Sequence, residues 1–322
     1  MIIIVISFFL KQKRRSFCSL HYKLTDLDDW FNLTATFKSD SHILMDYKQF
    51  KNWSLIHLDS EYISTFSSLK IESSQLKNDI LKKPKKPFVF WYVSNCETPS
   101  RRENYVNELI KYLDIDIYGS CQNKFKQSKP DPCKNEKIDR EKCDLNLFNT
   151  YKFYLAFENS LCSEYATEKF WKIYTPNRLF KLNIIPVVKG AKDFEYKKIA
   201  LPYSFINAEN FNSPKSLADY LNYLNSNETA YMEYFQSKFD LVKNLKTKLE
   251  SEKNEQYEKP RDDFTPFCEI CSKLHDTNYL NSHLNNKIVK ISEWFNPSSE
   301  CWDQDEPNKF FSWVTKLFGY CI

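Results

Sequence analysis

Tyr151-Lys-Phe-Tyr-Leu-Ala-Phe-Glu-Asn-Ser-Leu-Cys-Ser-Glu-Tyr-Ala-Thr-Glu-Lys-Phe-Trp171 is the stretch that decides the fold of this chain. Its apolar run Phe153–Phe157 predicts a buried strand ending at Glu158-Asn159-Ser160, and beyond a polar turn a helix is predicted over 164–172. The carboxyl end of a strand beside the positive N-terminus of a helix is where an open α/β sheet keeps its ligand. Tyr165, Thr167, Glu168 and Lys169 gather a phenol, a hydroxyl, a carboxylate and an ammonium within one helical turn. Such a set suits a ribose and a diphosphate.

Working outward, strands are predicted at Phe88–Val93, Ile115–Tyr118 and Ile184–Val188. Helices are predicted from an N-cap at Ser100, over 214–224 behind Ser213-Pro214, and over 229–249. Strand and helix thus alternate between residues 88 and 245, which predicts a parallel sheet with helices on both faces. Residues 120–149 read as a charged surface loop tied down by Cys121, Cys133 and Cys143. Residues 11–85 read as polar and irregular, with one strand over 30–37, and Lys82-Lys-Pro-Lys-Lys-Pro87 reads as a linker. Asp114-Ile-Asp116 reads as structural, and the aromatic-rich stretch 220–239 as core.

Composition narrows the chemistry. The 322 residues are 42% hydrophobic and 16% aromatic, as a globular chain with room for two cores requires. The 46 basic and 42 acidic residues are mixed along the chain, with no basic block of the kind nucleic-acid binding demands. Glycine occurs three times, at Gly119, Gly190 and Gly319, so neither a P-loop nor a Gly-x-Gly-x-x-Gly turn can exist. A nucleotide bound here must have its phosphates met by Arg or Lys side chains.

Ten cysteines, with sequons at Asn32, Asn52 and Asn227, favour the secretory pathway. The disulfide candidates are Cys96, Cys121, Cys133, Cys143, Cys162, Cys268, Cys271 and Cys301. Cys268-x-x-Cys271 with His275 lacks the second ligand pair of a zinc site, so disulfides are the expectation there and no metal is called. The N-terminal run Ile2–Leu10 is too short to span a bilayer as a helix, and its charges, Lys11-Gln-Lys-Arg-Arg15, follow it instead of preceding it. A buried strand and a membrane address both stay open for it.

With these residues laid out, the sequence resembles the α1,3-fucosyltransferases of glycosyltransferase family ten. Phe153-Tyr-Leu-Ala-Phe-Glu-Asn-Ser160 and Tyr165-Ala-Thr-Glu-Lys169 carry the likeness, which extends through Ser94-Asn-Cys96, Arg102-Glu-Asn-Tyr-Val106, Asp116-Ile-Tyr-Gly119 and Ile185-Pro-Val-Val188. Ser204-Phe-Ile206, Asn210–Leu221, the acceptor-side stretch Phe31–Ser41 and Phe267–Cys271 continue it. The resemblance implies a GT-B-like α/β fold of two Rossmann-like domains with the N-terminal one truncated. It divides the chain into an apolar and basic N-terminus (1–26), a partial acceptor-side domain (27–85), a donor domain (86–245) and a cysteine-containing C-terminal segment (246–322).

By the same resemblance the donor is GDP-fucose and no cofactor is required. Arg102 and Lys169 would neutralise the diphosphate, Glu168 would take the ribose hydroxyls, Tyr165 would contact phosphate or fucose, and Glu158 and Asn159 would close the site. The implied reaction is inverting transfer to the 3-hydroxyl of GlcNAc in a glycan on a glycoprotein or glycolipid. The implied location is the Golgi lumen, with an N-terminal membrane anchor.

Three departures from the family stand out. Its catalytic base lies in Glu-Ser-Pro, which this chain lacks; Asp26, Asp28 and Asp29 occupy the corresponding place. The stretch after the signature helix is longer, with Ile173-Tyr-Thr-Pro176 inserted, and of the N-terminal cysteines only Cys18 remains. A GDP-fucose binder without transfer is therefore the alternative reading.

Overall fold

The computed structural model describes residues 3–5, 33–36, 38–44, 60–69, 73–83, 87–125, 130–134, 139–251, 266–283, 290–294 and 301–302. The chain forms two compact units, one of residues 1–49, 160–165 and 261–322, the other of 50–159 and 166–260. This division differs from the four stretches read along the sequence, because the signature itself passes between the units.

In the first unit, β1 (Ile3–Val5), β2 (Leu33–Thr36) and β3 (Ile43–Leu44) form a parallel sheet in that order. Lys273 Nζ reaches the carbonyl of His42 at 2.7 Å, and Cys162 is disulfide-bonded to Cys301. This three-stranded sheet is the parallel sheet of the first unit among the described residues. Asp26, Asp28, Asp29, Asn32 and Asn52 lie outside the described residues.

The second unit opens with two helices that the sequence reading left irregular, α1 (Ser60–Leu69) and α2 (Ser73–Leu81). Their buried residues Ile63 and Phe66, then Leu76 and Ile80, stand three and four apart, one helical face each. Next come β4 (Val89–Tyr92), α3 (Arg102–Leu109) and β5 (Ile115–Tyr118). A third of the predicted loop 120–149 is helix: α4 (Arg140–Thr150) starts from Asp139, whose carboxylate accepts from the amides of Glu141 and Lys142. The disulfides expected to pin this region are present as Cys96–Cys121 and Cys133–Cys143.

Then follow β6 (Phe153–Phe157), α5 (Glu168–Tyr174), α6 (Pro176–Leu179), β7 (Ile185–Lys189), α7 (Asp193–Ile199), β8 (Ile206–Asn207) and α8 (Pro214–Ser226). The inserted Ile173–Pro176 supplies the end of α5 and the start of α6. The predicted helix over 229–249 is broken into α9 (Glu228–Glu233) and α10 (Gln236–Ser251). In the first unit's C-terminal part, α11 (Pro266–His275) leaves Cys271 an exposed free thiol, which corrects its expected disulfide.

All five strands β4–β8 run parallel in the order β5-β4-β6-β7-β8, the flavodoxin-like winding. Alternation along β6 sends Phe153 against Tyr231 of α9 and Phe157 against Tyr105 of α3. Tyr154 goes the other way, against Phe148 of α4. Helices therefore cover both faces, as predicted. Asp116 is structural: buried, it accepts the Tyr151 hydroxyl at 2.5 Å.

At the amino ends of the strands, lysines meet backbone carbonyls at or just beyond the helix ends. Lys83 Nζ donates to Tyr151 O at 2.6 Å and Lys152 Nζ to Asn225 O at 3.1 Å. Lys238 Nζ donates to Leu182 O at 2.8 Å and Asn183 Oδ1 at 2.9 Å. Cations at helix C-termini oppose the dipole there. Lys83 thus anchors the predicted linker instead of lying free in solvent. Burial lowers the Lys238 pKa to about 7, and burial with the Lys238 and Lys152 charges lowers that of Lys83.

A lysine whose folded pKa is depressed binds fewer protons folded than unfolded, so stability rises with pH between the two values. We predict that the unfolding free energy increases from about pH 7 to about pH 9.5 and that Lys238→Met flattens the increase. Urea titrations at both pH values measure this; equal slopes for the two proteins would show that Lys238 titrates normally.

Candidate active site

The strand order reverses between β4 and β6, and ligands of such sheets enter the crevice outside the carboxyl ends at that point. The loop leaving β4 is tightly held. The Cys96–Cys121 disulfide ties it to the end of β5, where Gly119 has φ +93° and an added Cβ would lie 2.4 Å from Val93 O. Glu103 accepts from Thr98 N at 3.1 Å and Thr98 Oγ1 at 2.9 Å. Ser100 is not the predicted N-cap: its hydroxyl goes to Glu158 O at 2.8 Å and its amide to Asn159 O at 2.9 Å. Arg101, in left-handed backbone at φ 47°, takes the cap position without a side-chain cap bond.

That turn delivers Arg102 into the crevice. Its guanidinium is buried, donates to Phe157 O and to Asn95 O (3.2 Å), and stands 5.6 Å over the Trp91 ring. On the opposite face of β6, Glu158 is fully buried and accepts from Thr167 N at 2.7 Å and Thr167 Oγ1 at 2.6 Å. Lys169 Nζ lies 3.2 Å from Glu158 Oε2, 3.1 Å from Glu168 Oε1 and 2.8 Å from Thr167 Oγ1. Helix α5 consequently begins at Glu168, four residues later than predicted, because Thr167 is fastened to the strand end. Gly190 makes room: an added Cβ would meet Glu158 Cγ and the Tyr196 hydroxyl at 2.6 Å.

Burial raises the Glu158 pKa, with the Lys169 ammonium opposing. For half-exposed Glu168, desolvation pulls upward, but the Lys169 charge and hydrogen bond together with backbone and Thr167 bonds hold the pKa below the usual carboxylate value. Glu158, Thr167, Glu168 and Lys169 thus form one cluster, and Arg102 is linked to the same strand end through the backbone carbonyl of Phe157. Glu158 serves as a buried strut for α5 and Lys169. Asn159 keeps a buried Oδ1 with no partner among the described residues. Tyr165 is buried and belongs to the other compact unit.

Three residues on the Arg102 side were not singled out as site residues: Tyr105, Lys189 and Glu209. Lys189 is buried, stands 5.2 Å over the Tyr105 ring and is ion-paired with Glu209. The signal was available, since a lysine closing the apolar run Ile185–Val188 just before Gly190 is out of character for a buried strand. No cluster of potential metal ligands occurs among the described residues.

The family model for "Glycosyltransferase family 10 (fucosyltransferase) C-term" matches residues 82–294. The chain belongs to glycosyltransferase family 10. It is 38% identical over 222 residues to glycoprotein 3-alpha-L-fucosyltransferase A of Drosophila melanogaster, covering 69% of this chain and 38% of that protein. It is 41% identical over 181 residues to alpha-(1,3)-fucosyltransferase fut-1 of Caenorhabditis elegans, covering 56% of this chain and 36% of that protein. GDP-fucose protein O-fucosyltransferase 3 of Xenopus laevis is 34% identical over 211 residues, covering 65% and 40%. The chain therefore spans about two fifths of the length of these relatives.

In this family 10 chain the Glu158–Lys169 contact has a distinct pH signature. A carboxylate with a raised folded pKa favours the folded state below its unfolded value and loses that advantage as pH rises through the folded value. Lys169→Ala removes the charge that opposes the rise. Its stability deficit is predicted to be small near pH 4.5 and to grow to about 3 kcal/mol near neutrality. Adding Glu158→Gln should abolish the growth, as urea unfolding at the two pH values will test.

Proposed function

We propose that this chain binds GDP-fucose at the carboxyl ends of β4 and β6 and transfers fucose with inversion to the 3-hydroxyl of GlcNAc in N-glycan or LacNAc-type acceptors. The observation that carries the reading is the pair of cations flanking the end of β6, buried Arg102 on one face and partly exposed Lys169 on the other. Two side-chain cations at a strand end, in a chain with three glycines, are what diphosphate binding without a glycine cradle requires. Glu168, half-exposed beside Lys169, is the carboxylate for the ribose hydroxyls. The departing GDP would be stabilised by the same cations, which supply electrostatic catalysis where the negative charge develops.

Family members named for different acceptors share this chain's matched region, so the donor is the better supported half of the assignment. The setting we propose is the Golgi lumen, with Asn227 glycosylated; it caps α9 through its Oδ1, and Thr229 of its sequon is exposed. No helix among the described residues is long and apolar enough to cross a membrane. A second reading, binding without transfer, is favoured by the absence of Glu-Ser-Pro from the 322 residues.

Calorimetry with GDP is expected to show binding that Arg102→Ala and Lys169→Ala each weaken on the order of 10- to 100-fold. Release of GDP from GDP-fucose on adding LacNAc or chitobiose-core acceptors separates transfer from binding alone. Unchanged GDP affinity in both variants would sink the donor site as drawn.

A further inference from the structure

Asn227 joins α8 to α9, and both ends of its side-chain amide are engaged. Its Oδ1 accepts from Ala230 N at 3.1 Å, and its Nδ2 donates to the Tyr223 hydroxyl at 3.1 Å. A primary amide has a second N–H, which neither bond uses. The backbone repeats the link, Asn227 N donating to Tyr223 O at 2.9 Å. Tyr223 itself is 50% exposed, a large apolar surface left in water. Its ring is not isolated. Tyr220 lies 6.2 Å away at an interplanar angle of 32°, Phe211 lies 5.4 Å beyond Tyr220, and the Tyr220 and Tyr234 hydroxyls are 2.7 Å apart. A row of rings, fastened to α8 and to the junction of α9 and α10, thus ends in an open aromatic surface at the sequon.

We propose that Asn227 carries an N-linked glycan whose first GlcNAc packs its C–H face on the Tyr223 ring, and that this contact clamps the joint between α8 and α9. Asn227-Glu-Thr229 is an acceptor tripeptide, and Thr229 is exposed. In the modification Nδ2 bonds to C1 of GlcNAc in a lipid-diphosphate-linked oligosaccharide. The C1–O bond breaks, the lipid diphosphate leaves, and the amide gives up one proton. The amide keeps its other N–H for Tyr223 and its oxygen for Ala230, so the modification costs neither bond. The sugar is then rooted on an atom 3.1 Å from the tip of the ring, within reach of the ring's face. A tyrosine suits this role, because it offers an apolar body to the sugar's C–H groups and a polar tip to its root. The inference rests on the secretory setting proposed above and is independent of the donor site.

The test uses the full chain secreted from a eukaryotic cell. Mass mapping of the Asn227 peptide is expected to show a glycan. Thr229→Ala removes the sequon but leaves Asn227, its cap and its bond to Tyr223 in place. Its thermal midpoint is expected about 2 °C below that of the unsubstituted chain, although alanine favours helix. That gap should persist when both chains are trimmed enzymatically to single GlcNAc residues. Tyr223→Ala should lower the midpoint by about 2 °C more in the glycosylated chain than in the Thr229→Ala background. Equal effects of Tyr223→Ala in the two backgrounds, with Asn227 occupied, would overturn the clamp. Loss of the gap on trimming would overturn it too, since the contact would then lie in the outer sugars. An unmodified Asn227 would overturn both the inference and the glycosylation proposed above, while GDP binding remains a separate measurement.

Discussion

A carboxylate with no exposure, Glu158 at the end of β6, sets the geometry on which the rest of the site depends. Desolvating a carboxylate costs several kcal/mol unless it is paired and hydrogen-bonded, so its surroundings are constrained to supply donors. Thr167 gives two and Lys169 the charge, which fixes where α5 starts and where its ammonium points. Gly190 is needed because any side chain there would strike Glu158, and Ser100 is drawn from capping α3 to bind the Glu158 carbonyl. With Ser100 withdrawn, Arg101 takes the left-handed cap position and Arg102 the first turn. Side chain and backbone of the one residue Glu158 thereby meet both sides of the crevice, the carboxylate holding Thr167 and Lys169 and the carbonyl holding Ser100.

Scarcity of glycine gives this arrangement its logic. Phosphate-binding loops bring backbone amides to the ligand, and that needs residues without a Cβ. Here the loop after β4 is instead held by a disulfide, by Glu103 and by Asn159 O, while guanidinium and ammonium groups present the positive charge. Lysines recur at the amino ends of the strands, where Lys83, Lys152 and Lys238 donate to backbone carbonyls. The two ends differ in partners: the lower lysines meet neutral carbonyls, the upper ones meet carboxylates.

The strands were legible because burial on both faces demands uninterrupted apolar runs. Ile115–Tyr118 and Phe153–Phe157 fall where those runs lie, and β4 and β7 within a residue or so. The helices α1, α2 and α4 were not, since each buries only a narrow stripe amid serines, lysines and acids that read as solvent-facing loop. The cluster around Lys169 could be read from adjacency in sequence. The Tyr105–Lys189–Glu209 cluster could not, because it assembles from α3, β7 and the residues beyond β8, and single-chain spacing carries no information on that meeting.

One part of the signature answers to a partner far off in sequence. Residues 160–165 belong to the first compact unit although the residues on either side belong to the second. Within that unit Glu164 adopts left-handed backbone at φ 59°, which costs a residue bearing a Cβ about 1 kcal/mol. Its carboxylate accepts from Ser39 N at 2.8 Å and Ser39 Oγ at 2.6 Å, charge-assisted bonds that offset the strain. Ser39 lies in the stretch that resembles the family's acceptor side, so the turn between Glu158 and Thr167 is held by contact with that stretch. The strand end and helix start on either side of it carry the donor cluster.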